Sequence, residues 1–240
     1  MKLHINGKVI LTDPMLGKKD SIRSFAGIAK NPTVELPIDP YQIIDGVDFC
    51  LVSHTHPDHF DDWSFENIPK SMKIYCQPCD ETVFKEKGFQ NVEVIENNVN
   101  VDGIEIIRTN GEHGSGEILK MMGIVSGFVI KSHDNPTVYW IGDSILNNDV
   151  RETMRMHNPD YVITHSGGAA IPGFNPILMD QKETIDILDI IPSTRIIAIH
   201  MNALDHCRVT RDILREYAAS KAIGIGKLII PDDGEILELQ

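Results

Sequence analysis

The segment Ser53-His54-Thr55-His56-Pro57-Asp58-His59 places three imidazoles and a carboxylate directly after the apolar run Phe49 to Val52. Residues two apart in extended backbone project to the same side, so His54 and His56 share a face. Pro57 favours extended backbone at His56 and can itself begin a helical turn, which redirects Asp58 and His59 toward the same space from another direction. Imidazoles this close repel one another when protonated, and a metal ion relieves the repulsion by engaging their lone pairs. A merely polar loop would leave the clustering without a cause. Other strand ends offer further ligands. His113 follows the strand Ile104 to Thr109, where Gly111 and Gly114 permit a tight turn aimed inward. Asp143 follows the strand Thr137 to Ile141, although an aspartate there could equally cap a helix. His200 ends the strand Arg195 to Ile199, where an unpaired imidazole would be costly unless it had a partner or lay at the rim.

Weaker candidates surround these. His165 ends another strand in Thr164-His165-Ser166-Gly167-Gly168; it could contact substrate or donate a proton, or simply cap a turn. His206 lies just past His200 and could support the ligands from behind. His4, His133 and His157 sit in polar or turn contexts and read as surface residues. Cys76 and Cys79 have the spacing of zinc and redox motifs, but Cys50 and Cys207 stand alone, so we read the pair as buried, inert thiols.

The elements that position these groups are mostly strands. Asn6-Gly7 between two alternating apolar runs predicts a type I′ hairpin. Strands follow at Phe49 to Ser53, Lys73 to Cys76, Val92 to Ile95, Ile104 to Thr109, Ile124 to Lys131, Thr137 to Ile141, Tyr161 to Thr164, Arg195 to Ile199, Lys227 to Ile230 and Glu235 to Leu239. Start signals at Asp80, Asp180 and Thr210 predict helices between some of them. The stretch from Pro14 to Gly46 lacks periodicity and is broken by Pro32, Pro37 and Pro40; a loop of that length predicts a lid or wall near an active site. Mixed strands and helices point to an α/β or α+β sandwich, with residues 1–240 as one domain.

His54-x-His56-x-Asp58-His59, followed in order by His113, Asp143 and His200, resembles the metal-binding signature of the metallo-β-lactamase superfamily. The likeness extends to Leu11-Thr12-Asp13-Pro14, Gly142-Asp143-Ser144 and Met179-Asp180, the last of which is similar to the L-ascorbate 6-phosphate lactonase branch. The resemblance implies a four-layer αββα sandwich with metals in a groove at one edge of its two sheets. It implies that His54, His56 and His113 hold a first ion, that Asp58, His59 and His200 hold a second, and that Asp143 bridges them. Mixed nitrogen and oxygen donors suit Zn²⁺ or Mn²⁺ first, with Fe²⁺ also compatible. Two such cations lower the pKa of a shared water toward neutrality, and Asp58 could orient the resulting nucleophile while serving as a ligand. In di-iron electron-transfer relatives a glutamate commonly replaces the second histidine, so His56 favours hydrolysis. The expected substrate is a small ester, lactone or phosphate-bearing metabolite; a phosphodiesterase or nuclease, or a non-catalytic metal-binding protein, are the alternatives.

Composition narrows the partners. With 35 acidic against 22 basic residues, a net charge of −13 disfavours a nucleic-acid partner. Lys18, Lys19 and Arg23, in one early loop, come closest to a basic track and read as a solvated face. No apolar run is long enough to span a bilayer, and the opening residues lack an export-signal pattern, so the expected location is the cytoplasm without membrane attachment. The oligomeric state has no sequence signal.

Overall fold

A computed structural model describes residues 1–240. The hairpin forms as predicted: β1 (Lys2–Ile5) and β2 (Lys8–Thr12) pair antiparallel, with Asn6 and Gly7 both at the positive φ that a type I′ turn requires. From Pro14 to Gly46 the only helix is α1 (Pro40–Ile44). Next come β3 (Phe49–Leu51), α2 (Asp62–Asn67), β4 (Lys73–Cys76), α3 (Glu81–Glu86), β5 (Asn91–Val94), β6 (Asn98–Val101), β7 (Ile104–Asn110) and α4 (Ile118–Met122). The chain continues through β8 (Ser126–Ser132), β9 (Asn135–Trp140), α5 (Asn148–His157), β10 (Tyr161–His165), α6 (Gln181–Ile190), β11 (Arg195–Ile199), α7 (Arg211–Ser220) and β12 (Leu228–Ile229).

The strands form two sheets, ordered β1-β2-β3-β4-β5 and β12-β11-β10-β9-β8-β7-β6. Strand alternation sends successive side chains into different layers. In β10, Tyr161 and Ile163 enter the core between the sheets, while Val162 enters the outer core of the larger sheet. That outer core also takes Val150 and Met154 of α5, Ile187 of α6 and Leu214 and Ala218 of α7. On the smaller sheet, Phe49 and Leu51 face the inter-sheet core; Cys50 and Val52 face Phe65 of α2 and Phe84 of α3. Helices therefore cover both outer faces, giving the αββα sandwich.

Direction matters most for the site. β9, β10 and β11 run parallel, and β7 joins their direction through two antiparallel steps across β8. Their C-terminal ends thus open at one edge, as do those of the parallel β2 and β3 on the other sheet.

Two sequence expectations differ from the fold. Glu235 to Leu239 is not a strand: Leu237 and Leu239 pack on the inter-sheet core, but the backbone joins no ladder, so the alternation reported burial rather than pairing. Conversely, the polar strand β6 forms by pairing with β7 across Asp102-Gly103, a second turn with positive φ at both residues. Helix α2 begins at Asp61, whose carboxylate accepts from the Ser64 amide and also from the Gly17 amide, pinning the start of the long loop.

Candidate metal centre

All seven expected ligands lie at the shared sheet edge. The turn after β3 is closed by the amides of His59 and Phe60 donating to the His56 carbonyl, which swings Asp58 and His59 back toward His54 and His56. The donor atoms of His54, His56 and His113 lie within 4.8 Å of one another, and a second group of the same compactness contains His59, Asp143 and His200, with His165. Asp143 Oδ2 stands between the groups, 3.0 Å from His59 Nε2 and 3.3 Å from His113 Nε2. Asp58 Oδ2 is 3.8 Å from His200 Nε2.

Backbone geometry delivers these groups at a cost. Gly142 takes φ +71°, and a Cβ there would sit 2.6 Å from the Ser126 carbonyl oxygen, so only glycine lets the chain turn Asp143 inward. His200 itself adopts φ 62°, a left-handed conformation that turns its ring off the end of β11 into the cluster.

Hydrogen bonds on the far side of three of the rings, those of His54, His59 and His113, fix which nitrogen is free. The Ser53 hydroxyl donates to Asp13 Oδ2 at 2.5 Å and accepts from His54 Nδ1 at 3.0 Å. His59 Nδ1 donates to the same Asp13 oxygen at 2.6 Å, and His113 Nδ1 donates to the Ile177 carbonyl at 3.0 Å. In its neutral form each of these three rings therefore keeps its Nε2 lone pair for the centre of the cluster. Nε2 of His54, His59 and His200 are buried without any hydrogen-bond partner. Buried polar atoms are rarely left so, and a cation is what this donor set fits.

Electrostatics agree. Burial, joined by His59, His56 and His113, holds the His54 pKa well below the ordinary imidazole range, and burial pushes His200 down to about 3. Burial also opposes charge on His59, yet the flanking Asp143 and Asp13 outweigh it and hold that pKa well above the usual range. Burial works against ionised Asp143, but His59, His200 and His113 prevail and keep it a carboxylate. The cluster attracts positive charge to its centre, which a dication would supply.

His165 is placed differently from a substrate-facing proton donor. The Trp140 indole N–H donates to its Nε2 at 3.1 Å, so Nδ1 carries the proton and donates to Asp143 Oδ1 at 2.5 Å. Neither nitrogen is left for a substrate. Sequence reading also missed Asp13 and Ser53 as orienting groups. Their signal was Asp13 at the end of a strand paired with the signature strand, which becomes informative only once that pairing is known. Asp80, expected only as a helix start, makes no capping bond; its carboxylate accepts from Gln77 Nε2 at 2.9 Å and from Thr55 Oγ1 at 3.1 Å, bracing the back of the signature loop.

Cys76 is buried, as expected, but Cys79 is exposed. Burial raises both thiols, Cys76 to about 12, with Asp80 adding to the shift, so the pair lacks the thiolate character of a redox motif. His4 and His133 are exposed and His157 is half-buried.

The long loop walls the site through one part only. Residues 24–31 pack against the turn after β11, where Phe25 meets the ring of His206 edge-on at 5.0 Å. The remainder lines a groove of about 900 Å³ bounded by Leu16, Ile22, Leu36, Trp63, Thr55 and Pro57. Thr55 and Pro57 alternate with the ligands, which puts this larger space on the back of the signature loop. Against the ligands themselves lies a cavity of about 100 Å³, bordered by Asp58, His59, His165 and His200, with Trp140 and Ile199 on its apolar side. No helix is long and apolar enough to cross a membrane.

Comparison with known proteins accords with this geometry. The family model described as Beta-lactamase superfamily domain matches residues 8–201. The UPF0173 protein YddR of Bacillus subtilis is 32% identical, over 95% of this chain and 92% of its own length. A UPF0173 metal-dependent hydrolase of Pyrococcus furiosus is 25% identical over 97% of this chain and 92% of its own. Among solved structures, the isothiocyanate hydrolase from Delia radicum gut bacteria superposes with a TM-score of 0.92 at 34% identity, covering 99% of this chain and 95% of that one. Fold, ligand geometry and a family match spanning most of the sequence lead to one conclusion: this chain belongs to the metallo-β-lactamase superfamily, among its metal-dependent hydrolases.

Proposed function

We propose that this protein holds two divalent cations, one on His54, His56 and His113 and one on Asp58, His59 and His200 with Asp143 between them, and hydrolyses a small molecule at an electrophilic carbon. The observation that carries this reading is the set of Nε2 atoms left buried and unpartnered while every Nδ1 described above is tied to an oxygen. Zn²⁺ or Mn²⁺ would supply Lewis acidity and make water a nucleophile at neutral pH. The chain's own residues do the rest. Asp13 and Ser53 hold His54 and His59 in the ligating tautomer. His165, itself set by Trp140, locks the Asp143 carboxylate rather than meeting substrate. Asp58, beside His200, orients the attacking water.

For the substrate, the likeness to an isothiocyanate hydrolase over nearly the whole chain supports an isothiocyanate carbon first. Water adds its oxygen to that carbon and one proton to nitrogen; the second proton then passes from the added oxygen to nitrogen as the C–N bond breaks, releasing a primary amine and carbonyl sulfide. A lactone or ester carbonyl offers the same kind of target and is the second reading, in keeping with the sequence expectation. The net charge of −13 argues against a polyanionic substrate.

The test is elemental analysis of protein purified without chelator, followed by assay on benzyl isothiocyanate, γ-butyrolactone and bis(p-nitrophenyl) phosphate. We expect near two metals per chain, turnover of a carbon electrophile, and loss of activity in His56→Ala and Asp143→Ala with the fold retained. Turnover of the phosphodiester alone would make this a phosphodiesterase, and bound metal with no turnover would make it a metal-binding protein.

A further inference from the structure

His206 belongs to none of the ligand groups, yet it is 5% exposed and its Nδ1 is buried with no partner. Its Nε2 lies 3.9 Å from Asp58 Oδ2, beyond hydrogen-bond reach. Both ring nitrogens are therefore unspent in a protein that satisfies nearly every other buried side-chain polar atom, the metal-facing Nε2 atoms of His54, His59 and His200 excepted. The ring is also deliberately held. Phe25 packs edge-on against it, and the His206 carbonyl accepts from the Ala170 amide at 3.1 Å.

The preceding residue explains why Phe25 is there. Asp205 accepts from the Ser24 hydroxyl, from the Phe25 amide at 3.0 Å, from the Ala26, Ile28 and Ala29 amides, and from Asn31 Nδ2 at 3.0 Å. One carboxylate thus gathers the loop 24–31, and its neighbour in sequence faces the metal ligands. Wall and ring are set by adjacent residues of a single turn.

From this geometry, and resting on the hydrolase reading above, we propose that His206 is a substrate-contacting hydrogen-bond donor. The neighbouring Asp58 carboxylate favours the proton on Nε2, the nitrogen that faces the site. When the nucleophile attacks, negative charge develops on the heteroatom bonded to the reacting carbon, and the Nε2–H of His206 donates to that atom without transferring its proton. Phe25 packs edge-on on the same ring, so the favoured substrate would carry its heteroatom toward His206 and its hydrocarbon toward the loop.

The experiment compares wild type, His206→Leu and His206→Gln, the last of which can place an amide N–H near the Nε2 position. In metal-loaded protein, His206→Leu should lower kcat by about 10²-fold, as loss of a donor to developing charge does, with metal content unchanged. His206→Gln should regain most of that loss. A purely structural histidine would give no such rescue. A second readout does not need the correct substrate: acetohydroxamate, which chelates metals and offers an oxygen to nearby donors, should bind His206→Leu about tenfold more weakly than wild type by calorimetry and recover in His206→Gln. Equal acetohydroxamate affinity in all three proteins, no binding to wild type, or loss of metal in His206→Leu would overturn the proposal. Failure of wild type to turn over any carbon electrophile, with the hydroxamate result as expected, would instead count against the proposed reaction.

Discussion

Asp13→Asn should weaken both proposed metal sites although Asp13 belongs to neither ligand set. Asn tolerates the left-handed φ of 39° found at this position, so the backbone has no reason to move. Asp13 Oδ1 accepts from the Ser53 amide at 2.8 Å, a bond the amide oxygen of Asn can keep. Oδ2, however, faces two donors, His59 Nδ1 and the Ser53 hydroxyl. An NH₂ group there confronts both with hydrogens. His59 can then accept only by shifting its own proton to Nε2, the atom that faces Asp143. Ser53 can accept from the new amide and turn its proton toward His54 Nδ1, which drives the His54 proton to Nε2 as well. Changes of this kind behind a ligand typically cost about 10- to 100-fold in metal affinity, or about 1.4 to 2.7 kcal/mol. The direct contact puts the His59 site near the upper figure and the relayed contact puts the His54 site near the lower. Competition with a chromophoric chelator, followed by elemental analysis after dialysis, reads both. Ser53→Ala separates the two paths, because it removes only the relay and should weaken the His54 site alone. Unchanged affinity in Asp13→Asn, or equal weakening of both sites in Ser53→Ala, would refute the tautomer argument.

Three other outcomes follow from the same geometry. Trp140→Phe removes the donor to His165 Nε2 and frees that ring to shift its proton away from Asp143; metal affinity should fall about tenfold, measured by the same competition. Gly142→Ala forces a side chain into positive φ and against the Ser126 carbonyl, which should lower stability by at least about 1–3 kcal/mol in urea titration, with loss of bound metal. Metal-free protein should lose stability as pH falls below the ordinary imidazole value of about 6.5. His54 and His200 stay neutral when folded, His200 down to about 3, whereas both charge when unfolded; His59, raised instead, is charged in both states there. His54 and His200 alone give a slope of about 2.7 kcal/mol per pH unit, to which His56 and His206, also depressed by burial, add in the same direction; the urea midpoint should fall between pH 6 and pH 5, and a flat midpoint would contradict it.

Much of this was legible in the sequence, and the boundary is a physical one. Short apolar, β-branched runs marked most strands, a signal that arises because each strand buries one face on the inter-sheet core and the other under the helices. It failed at Glu235 to Leu239, where alternate leucines reach that core without a ladder partner, and at Asn98 to Val101, where a ladder forms with little burial. Helices with a capping side chain and an apolar stripe, such as the one starting at Asp180, were readable. The short α1 and α4 carry too few residues for a period to appear, and α5, capped by Asn147, was missed although the signal was present. The proposed ligands were visible because histidine and aspartate at strand ends are costly without a task. Their orienting partners were not, since Asp13 acquires its role only when β2 pairs with β3, and Trp140 only when β9 pairs with β10.

His165 and His206 show what separates those two kinds of residue. Both are histidines near the end of a β-strand or the turn after one, both are buried, and on sequence alone His165 carried the stronger chemical reading. The fold spends both nitrogens of His165, one on Trp140 and one on Asp143, which turns it into a brace. It spends neither nitrogen of His206. Burial alone cannot distinguish them, and neither can residue type. What decides is whether the folded chain already provides every partner a polar atom needs, because an atom left wanting in a packed interior is held there at a cost of about 1–3 kcal/mol. Three of the four buried side-chain atoms in that condition point at the proposed cations. The fourth is Nδ1 of His206, whose Nε2 also lacks a partner within the chain and, lying on the Asp58 side, is the nitrogen placed to meet one from outside it.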